Sequence, residues 1–171
     1  MDNRSLHLSE MTIEELLDAA RATVAGAEYC FFVTTGSDGK PNARLMQPFE
    51  PEADLTMWFG ASPNSRKIKD LGHSNQVALA FYDSAHTAYL TLSGTASVVT
   101  DLEQRQKYWR VFWNDIYPGG PEGDDYVLIK VVPDRLEMMN FTHKTMARPY
   151  GLSPTRLVHH KGTWKISERG D

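Results

Sequence analysis

Apolar side chains recur at helical spacing near the beginning of the chain. They are Ile13, Leu16, Leu17, Ala20 and Val24, and steps of three or four residues place such side chains on one face of an α-helix. Thr12 and Glu15 have the spacing of a capping box, and Gly26 follows at a position typical of a helix end. The pattern therefore predicts an amphipathic helix between Thr12 and Gly26.

From position 29 onwards the pattern becomes typical of strands. Six runs rich in β-branched and aromatic residues are bounded by clusters of residues that favour turns. These runs are 29–35, 42–49, 55–59, 76–82, 88–99 and 126–132, the last continuing past Pro133 to 140. Two shorter runs, 156–160 and 163–166, are compatible with a terminal hairpin that turns at Lys161 and Gly162.

Two further helices are predicted between the strands. Ser62 followed by Pro63 is typical of a helix start, and that helix would end at Gly72. Asp101 is predicted to cap a longer helix, which contains Tyr108, Trp109, Phe112 and Trp113. Because hairpins dominate and the helices are too few to connect every pair of strands, the pattern favours an antiparallel sheet closed into a barrel, with helices outside it, over a doubly wound α/β fold.

The composition limits the classes of protein to which the chain can belong. A chain of 171 residues has the size of one domain, which we expect to span 11–171 after a flexible polar segment at 1–10. The net charge of −4 argues against bulk nucleic-acid binding, which requires a basic surface. Cys30 is the one cysteine, so no intramolecular disulfide can form.

The apolar runs are too short for a membrane protein. None reaches the ~20 residues of a membrane-spanning helix, and the first ten residues lack the apolar core of a signal peptide. We therefore expect a cytoplasmic protein with no membrane partner.

Three segments carry a resemblance to a known family. They are 39–46 (Gly-Lys-Pro-Asn-Ala-Arg-Leu-Met), 59–67 (Phe-Gly-Ala-Ser-Pro-Asn-Ser-Arg-Lys) and 75–82 (Asn-Gln-Val-Ala-Leu-Ala-Phe-Tyr), which leads into 90–96. In this order and spacing they resemble the pyridoxamine 5'-phosphate oxidase-like superfamily, and the region 113–132 resembles its general stress protein branch. The resemblance implies a mainly β (α+β) fold, a six-stranded antiparallel Greek-key split β-barrel with flanking helices, which binds FMN and forms a homodimer.

The resemblance also implies which residues contact the cofactor. Those residues are Arg44, Leu45, Met46, Gln47, Phe59, Gly60, Ala61, Ser65, Arg66, Lys67 and Trp113. In relatives the Ser-Arg-Lys segment binds the FMN phosphate, the arginine of the second strand reaches the phosphate or ribityl end, and the backbone two and three residues after it faces the isoalloxazine ring. Pyridoxamine 5'-phosphate oxidases carry a tyrosine and a threonine near Gly60 and Ala61, so the hydroxyl contact of that threonine is not expected here.

The segment Ser65-Arg66-Lys67 also points to a phosphate on physical grounds. The positive end of the helix dipole disfavours a cation in the first turn by about 0.3–1 kcal/mol, so two adjacent cations are a poor choice there unless an anion binds to them. The alternative is that both side chains extend into water. Simpler alternatives also exist for other predicted contacts, namely a salt bridge at the barrel rim for Arg44 and core packing for Met46 and Trp113.

No set of residues predicts acid–base, nucleophilic or metal-dependent catalysis. His159 and His160 are adjacent and would point to opposite faces of a strand, so they make a poor metal pair. Flavin chemistry needs no such set, because the cofactor carries the hydride. We therefore expect an FMN-dependent oxidoreductase that acts on an unidentified small substrate.

A true pyridoxamine 5'-phosphate oxidase is not expected. The C-terminal Arg-x-His motif and the Arg-Leu-Ala-Pro ending of those enzymes have only a faint counterpart in 156–171. Two alternatives to the oxidoreductase remain: a non-catalytic flavin-binding stress-response module, and a split barrel that binds another cofactor such as haem or a deazaflavin. No histidine lies in the motif region 28–72, which makes haem the weaker of these.

Overall fold

The computed structural model describes residues 11–146 and 153–167 as an eight-stranded sheet with helices packed against it. The α-helices are α1 (Ile13–Ala27), α2 (Arg66–His73) and α3 (Leu102–Lys107), and two 3₁₀-helices span Val111–Asp115 and Gly120–Glu122. The strands are β1 (Cys30–Thr35), β2 (Pro41–Met46), β3 (Met57–Ala61), β4 (Gln76–Asp83), β5 (Ala88–Val99), β6 (Val127–Asn140), β7 (Thr155–His160) and β8 (Thr163–Ile166). The flexible segment predicted at 1–10 lies outside the described residues. None of these helices is long and apolar enough to cross a membrane.

The strand pairing is antiparallel throughout the described residues. The strand order is β2-β1-β4-β5-β6-β7-β8, and β3 pairs with β6 outside this path. Within the described chain β2 pairs with β1 alone and β3 with β6 alone, so the sheet is not closed. The predicted mainly antiparallel sheet of a split-barrel fold is confirmed, because all six predicted strands form and the C-terminal hairpin adds β7 and β8. The prediction that this sheet closes into a barrel is wrong for the described residues, because β2 and β3 each pair with one strand only.

A β-bulge interrupts the pairing of the two longest strands, β5 and β6. The register of β5 against β6 shifts between Ser93 and Gly94, and a Cβ on Gly94 would lie 2.2 Å from the Val132 carbonyl oxygen. Only glycine permits such a close backbone approach. On either side of this bend β6 pairs with β3 through 127–131 and with β7 through 135–138. Strand β6 therefore connects β3 to the C-terminal hairpin of β7 and β8.

Helix α1 packs against the sheet through the same apolar side chains from which the helix was predicted. Leu16, Leu17, Ala20 and Val24 are buried in the main core. The Thr12 amide donates to Glu15 Oε2 at 2.7 Å, and the Glu15 amide donates to Thr12 Oγ1 at 3.3 Å. The predicted capping box is thereby confirmed, and it pairs two of the N–H groups that a helix start leaves without an internal partner.

Helix α2 begins three residues later than the sequence pattern predicts. Its first residue is Arg66 and its N-cap is Ser65, whereas the pattern predicts a cap at Ser62 and a start at Pro63. The Ser65 amide donates to the Ser62 carbonyl oxygen at 3.1 Å, which forms a turn before the helix. The predicted start is wrong because this turn delays the helix, and Arg66 and Lys67 consequently occupy its first two positions.

Helix α3 is shorter than predicted because the aromatic residues after it pack separately. It ends at Lys107, and the chain resumes as a 3₁₀-helix at Val111. The buried hydroxyl of Tyr126 donates to the Tyr108 carbonyl oxygen at 2.7 Å, which holds the chain in a turn between the two helices. The aromatic spacing imitates a helical pattern, and the prediction of a single helix through Trp113 is wrong.

Candidate cofactor site

The N-terminus of α2 carries a buried hydroxyl without a partner. An N-cap serine ordinarily accepts a hydrogen bond from the second or third amide of its helix, but the Ser65 side chain makes no such bond. Its Oγ atom is buried and has no hydrogen-bond partner within 11–146 and 153–167. Leaving a buried polar atom unpaired costs about 1–3 kcal/mol. The atom is therefore a candidate ligand contact at a helix end, where unpaired amides favour anions.

Three cationic side chains lie near this helix end. Arg66 and Lys67 occupy the first turn of α2, and Arg44 extends from β2 opposite Phe32. Burial, and then the charge of Arg44, lowers the pKa of Lys67. Burial also lowers the pKa of Arg44, and the charge of Arg66 adds to this effect although Asp70 opposes it. Partly buried like charges disfavour one another, so the arrangement fits a bound anion.

Asp70 supplies a carboxylate to this cluster, and no local sequence signal singles it out. Its Oδ2 atom accepts hydrogen bonds from the Thr34 hydroxyl at 2.6 Å, the Asn42 side-chain amide at 3.1 Å and Arg44 at 3.4 Å. Arg44 also donates to the Phe32 carbonyl oxygen at 3.1 Å and to the Thr34 hydroxyl at 2.7 Å. The salt bridge considered as an alternative for Arg44 is therefore present, and it fixes the guanidinium beside α2.

Gly60 is covered by an aromatic ring of the chain itself. A Cβ at this position would lie 2.4 Å from Cη2 of Trp113 and 3.1 Å from Cε2 of Tyr126. The rings belong to an aromatic cluster that is separate from the main core and comprises Trp58, Tyr108, Trp113, Tyr126 and Leu128. Trp113 is only 8% exposed. At Gly60, which the resemblance implies contacts the cofactor, the close approach to the backbone is made by Trp113 of the chain itself, in agreement with the core alternative for Trp113.

The other predicted contacts on β2 and β3 divide between core and surface. The side chains of Phe59 and Ala61 are buried in the main core, where the Phe59 ring packs against Phe32 with the ring centroids 5.1 Å apart. These two residues can therefore offer a ligand their backbone but not their side chains. Met46 is half-buried against the main core, whereas Leu45 is 61% exposed.

Arg110 links the end of β2 to the aromatic cluster, and it too has no local sequence signal that marks it as part of the site. Its guanidinium donates to Gln47 Oε1 and, at 2.7 Å, to the Pro48 carbonyl oxygen. It lies 4.4 Å from the ring centroid of Phe49 and 5.4 Å from that of Trp113. Burial lowers the pKa of Arg110. These contacts hold Gln47, a predicted cofactor contact, against the segment that covers Gly60.

A separate groove of about 420 Å³ lies on the face of β5, β6 and β7 that points away from the main core. Its lining residues are Thr91, Ser93, Arg135, Glu137, Arg156, Val158 and Ser167. Arg156 Nε donates to Glu137 Oε2 at 2.9 Å, and the Tyr89 hydroxyl donates to Glu137 Oε1 at 2.9 Å. None of the predicted cofactor contacts is among the lining residues of this groove.

Metal-ligand geometry is not found in the described part of the chain. No group of three His, Cys, Asp or Glu side chains in that part is arranged to hold a metal ion. His86 Nδ1 lies 2.7 Å from Asp83 Oδ2, and the His159 ring lies against Trp164 with the centroids 4.9 Å apart. These histidines therefore make local packing and hydrogen-bond contacts.

Comparison with known families identifies one match. The family whose sequence model matches the chain is described as "Pyridoxamine 5'-phosphate oxidase like", and the match spans residues 15–152. A search of curated proteins found no match. Among solved structures, a Clostridium acetobutylicum protein related to general stress protein 26 of B. subtilis has 20% sequence identity and a TM-score of 0.67, over 80% of this chain and 94% of its own.

Two other solved structures cover nearly the whole chain. PhzG from Burkholderia lata 383, in complex with tetrahydrophenazine-1-carboxylic acid, has 15% identity and a TM-score of 0.71, over 94% of this chain and 98% of its own. A pyridoxamine 5'-phosphate oxidase-related, FMN binding protein from Nostoc punctiforme PCC 73102 has 11% identity and a TM-score of 0.66, over 92% of this chain and 97% of its own. At these identities the likeness shows a shared fold.

Proposed function

Because the chain belongs to the pyridoxamine 5'-phosphate oxidase like family, we propose that it is a flavoprotein whose cofactor is FMN. The observation that carries the proposal is the buried Ser65 hydroxyl oxygen, which has no partner among the described residues. It lies at the N-terminus of α2 beside Arg66 and Lys67, where a phosphate would supply the missing partner. The structural neighbour described as FMN binding supports the same cofactor.

The charges of the site match those of a phosphate monoester. Arg44, Arg66 and Lys67 stand against the carboxylate of Asp70, which leaves a formal excess of two positive charges among these residues. A phosphate monoester carries about −1.5 to −2 charges at pH 7. Each charge-assisted hydrogen bond to it would contribute about 1.5–3 kcal/mol. A bound phosphate would thus offset the repulsion among the three cations.

The protein's part in the proposed mechanism is to bind and orient the cofactor. FMN, when bound, supplies hydride-transfer chemistry. Ser65, Arg66, Lys67 and Arg44 would hold its phosphate end, and the chain at 45–47 and 59–61 would line the remainder. The aromatic cluster excludes water from the side of β3 on which Trp113 packs. We assign no catalytic side chain.

The phosphate site is tested by titrating the full chain with FMN and with riboflavin, with flavin fluorescence as the readout. In the double variant Arg66→Ala/Lys67→Ala we expect FMN affinity to fall at least roughly tenfold, because charge-assisted hydrogen bonds are lost. Riboflavin affinity should not change, since riboflavin lacks the phosphate. Lys69→Ala is the matched control, because Lys69 is an exposed cation on the same helix. A wild-type chain that binds both flavins equally would contradict the proposal.

Oxidoreductase activity is proposed over a purely flavin-binding role because the proposed cofactor itself supplies hydride-transfer chemistry. Stopped-flow reduction of the FMN-loaded chain by NADH or NADPH distinguishes the two functions. We expect the flavin absorbance to bleach with one of these donors. Tight FMN retention without reduction by either would favour the flavin-binding module.

A deazaflavin is a second candidate cofactor. A structural neighbour described as F420 reductase favours it. Mass spectrometry of the small molecule released by denaturing the purified chain distinguishes FMN from F420. Release of F420 alone would replace FMN in the proposal.

We also propose that two copies of the chain associate through the apolar part of the sheet face that points away from the core. Phe31 of β1 pairs with Leu45 of β2 and with Ala80 of β4, and Phe31 and Leu45 are 56% and 61% exposed. Monomers rarely leave extended apolar patches in water. Light scattering should therefore find a dimer that Phe31→Glu converts to a monomer, and a wild-type monomer that still binds FMN would contradict this proposal.

A further inference from the structure

Asp70 is a carboxylate within a site that we propose to bind an anion. Its side chain is 12% exposed, and its Oδ2 atom accepts hydrogen bonds from Thr34 on β1 and from Asn42 and Arg44 on β2. Thr34 and Asn42 are cross-strand partners. A single carboxylate oxygen thus ties α2 to two neighbouring strands.

Asp70 takes part in two of the contacts that hold the guanidinium of Arg44, and the third is the hydrogen bond from Nη1 to the Phe32 carbonyl oxygen. The Nη2 atom of Arg44 lies 3.4 Å from Asp70 Oδ2. Its Nη1 atom donates to the Thr34 hydroxyl at 2.7 Å, and that hydroxyl in turn donates to Asp70 at 2.6 Å. A guanidinium has five N–H donors, so donors of Arg44 remain for a ligand.

We propose that Asp70 is a positioning residue of the phosphate site, and that it acts by fixing the guanidinium of Arg44 beside the first turn of α2. The inference rests on the proposed function, because it requires a phosphate to bind at that turn. Asp70 does not contact the ligand in this arrangement. It pre-organises a residue that does, which reduces the entropy lost on binding.

Asp70 has two effects on anion binding, and they have opposite signs. Its negative charge repels a phosphate, so charge alone predicts that neutralising Asp70 tightens FMN binding. Its hydrogen bonds hold Arg44, so positioning predicts that neutralising Asp70 weakens FMN binding. The sign of the measured change therefore distinguishes the two effects.

The test is the substitution Asp70→Asn in the full chain, with FMN and riboflavin titrations as above. We expect FMN binding to weaken roughly three- to tenfold, as for loss of one contact in a coupled network, and riboflavin binding to remain unchanged. Asp124→Asn removes the same charge from an exposed loop residue and should change neither affinity. FMN binding that is unchanged or tighter in Asp70→Asn overturns the inference.

A double-mutant cycle with Arg44→Gln separates positioning from a general structural role. If Asp70 acts through Arg44, Asp70→Asn should no longer weaken FMN binding in the Arg44→Gln background. An equal loss in both backgrounds overturns the inference, because Asp70 would then act on α2 as a whole. If Asp70→Asn does not fold, as judged by thermal unfolding, Thr34→Val replaces it and should show the same loss confined to FMN.

Failure of the proposed function and failure of this inference give different results. If the wild-type chain shows no preference for FMN over riboflavin, both are overturned. If that preference is present and Asp70→Asn leaves it intact, only the role of Asp70 is overturned.

Discussion

Replacing Gly60 by alanine tests the aromatic covering of β3. The new Cβ would lie 2.4 Å from Cη2 and 2.6 Å from Cζ3 of Trp113. Because carbon atoms in contact lie about 3.5–4.0 Å apart, the ring must move by about 1 Å. Overpacking of this kind costs about 1–3 kcal/mol, and the lower entropy of the unfolded alanine chain offsets about 0.4–1 kcal/mol. We expect a net loss of roughly 0–2.6 kcal/mol, with a centre of about 1.3 kcal/mol.

Urea denaturation followed by circular dichroism measures this loss. Gly72→Ala is the matched control: Gly72 lies in α2, and a Cβ there would meet no atom within 4 Å, so we expect a gain of about 0.5–1 kcal/mol. In a Trp113→Phe background the clashing ring atoms are absent, and Gly60→Ala should cost less. An equal effect of Gly60→Ala in both backgrounds would refute the contact between Trp113 and Gly60.

The helix cap, the single cysteine and the buried carboxylate provide three further tests. Thr12→Ala should destabilise the chain by about 0.5–2 kcal/mol in urea denaturation, and Thr12→Ser by less, because serine preserves the capping box. Cys30 is buried, and burial raises the pKa of its thiol to about 12. An aromatic disulfide reagent should therefore label Cys30 far more slowly in the native chain than in the unfolded chain. Equal labelling rates would contradict the burial of Cys30. Hydrogen bonds, first from the Thr34 hydroxyl and then from Asn42 and Arg44, lower the pKa of Asp70. The stability that this carboxylate contributes is therefore fully present above its unfolded pKa of about 3.9 and is lost as pH falls through its folded pKa. The free energy of unfolding of Asp70→Asn should consequently fall less steeply in acid than that of the wild type. Identical acid profiles of the two chains would contradict the hydrogen bonds to Asp70.

The strands and α1 could be predicted from the sequence because their signals are local. Alternating β-branched and aromatic residues, turn clusters and a capping box each occupy a few consecutive positions. The end of α3 could not be predicted in this way, because it depends on a hydrogen bond from Tyr126, which lies far along the chain. The pairing of β3 with β6 is likewise a contact between distant segments.

Some residues of the candidate site could likewise be predicted from local sequence signals, whereas others depend on contacts between distant segments. Ser65, Arg66 and Lys67 are consecutive, so their combined charge could be predicted, whereas their position at the very start of α2 follows from the turn at Ser62 that delays the helix. Asp70 lies four residues after Arg66, a spacing that brings side chains together on a helix, but its partner Arg44 comes from a separate element, strand β2. The placement of Trp113 on Gly60, like that of Arg110, follows from the early end of α3 and was not foreseeable from the pattern.

Strands β2 and β3 do not pair with each other in the described chain, and the segment that contains Arg110 connects them. We therefore expect Arg110 to affect the binding of the whole cofactor and not of its phosphate alone. Arg110 binds Gln47 and Pro48 after β2, while Trp113, three residues later, packs on Gly60 of β3. One short segment therefore joins two strands that do not pair with each other in the described chain. Arg110→Met preserves packing against the rings but removes the hydrogen bonds, so we expect FMN and riboflavin affinities to fall together, severalfold. A loss confined to FMN would mean that Arg110 acts through the phosphate site, and the bridge between β2 and β3 would then have no part in binding.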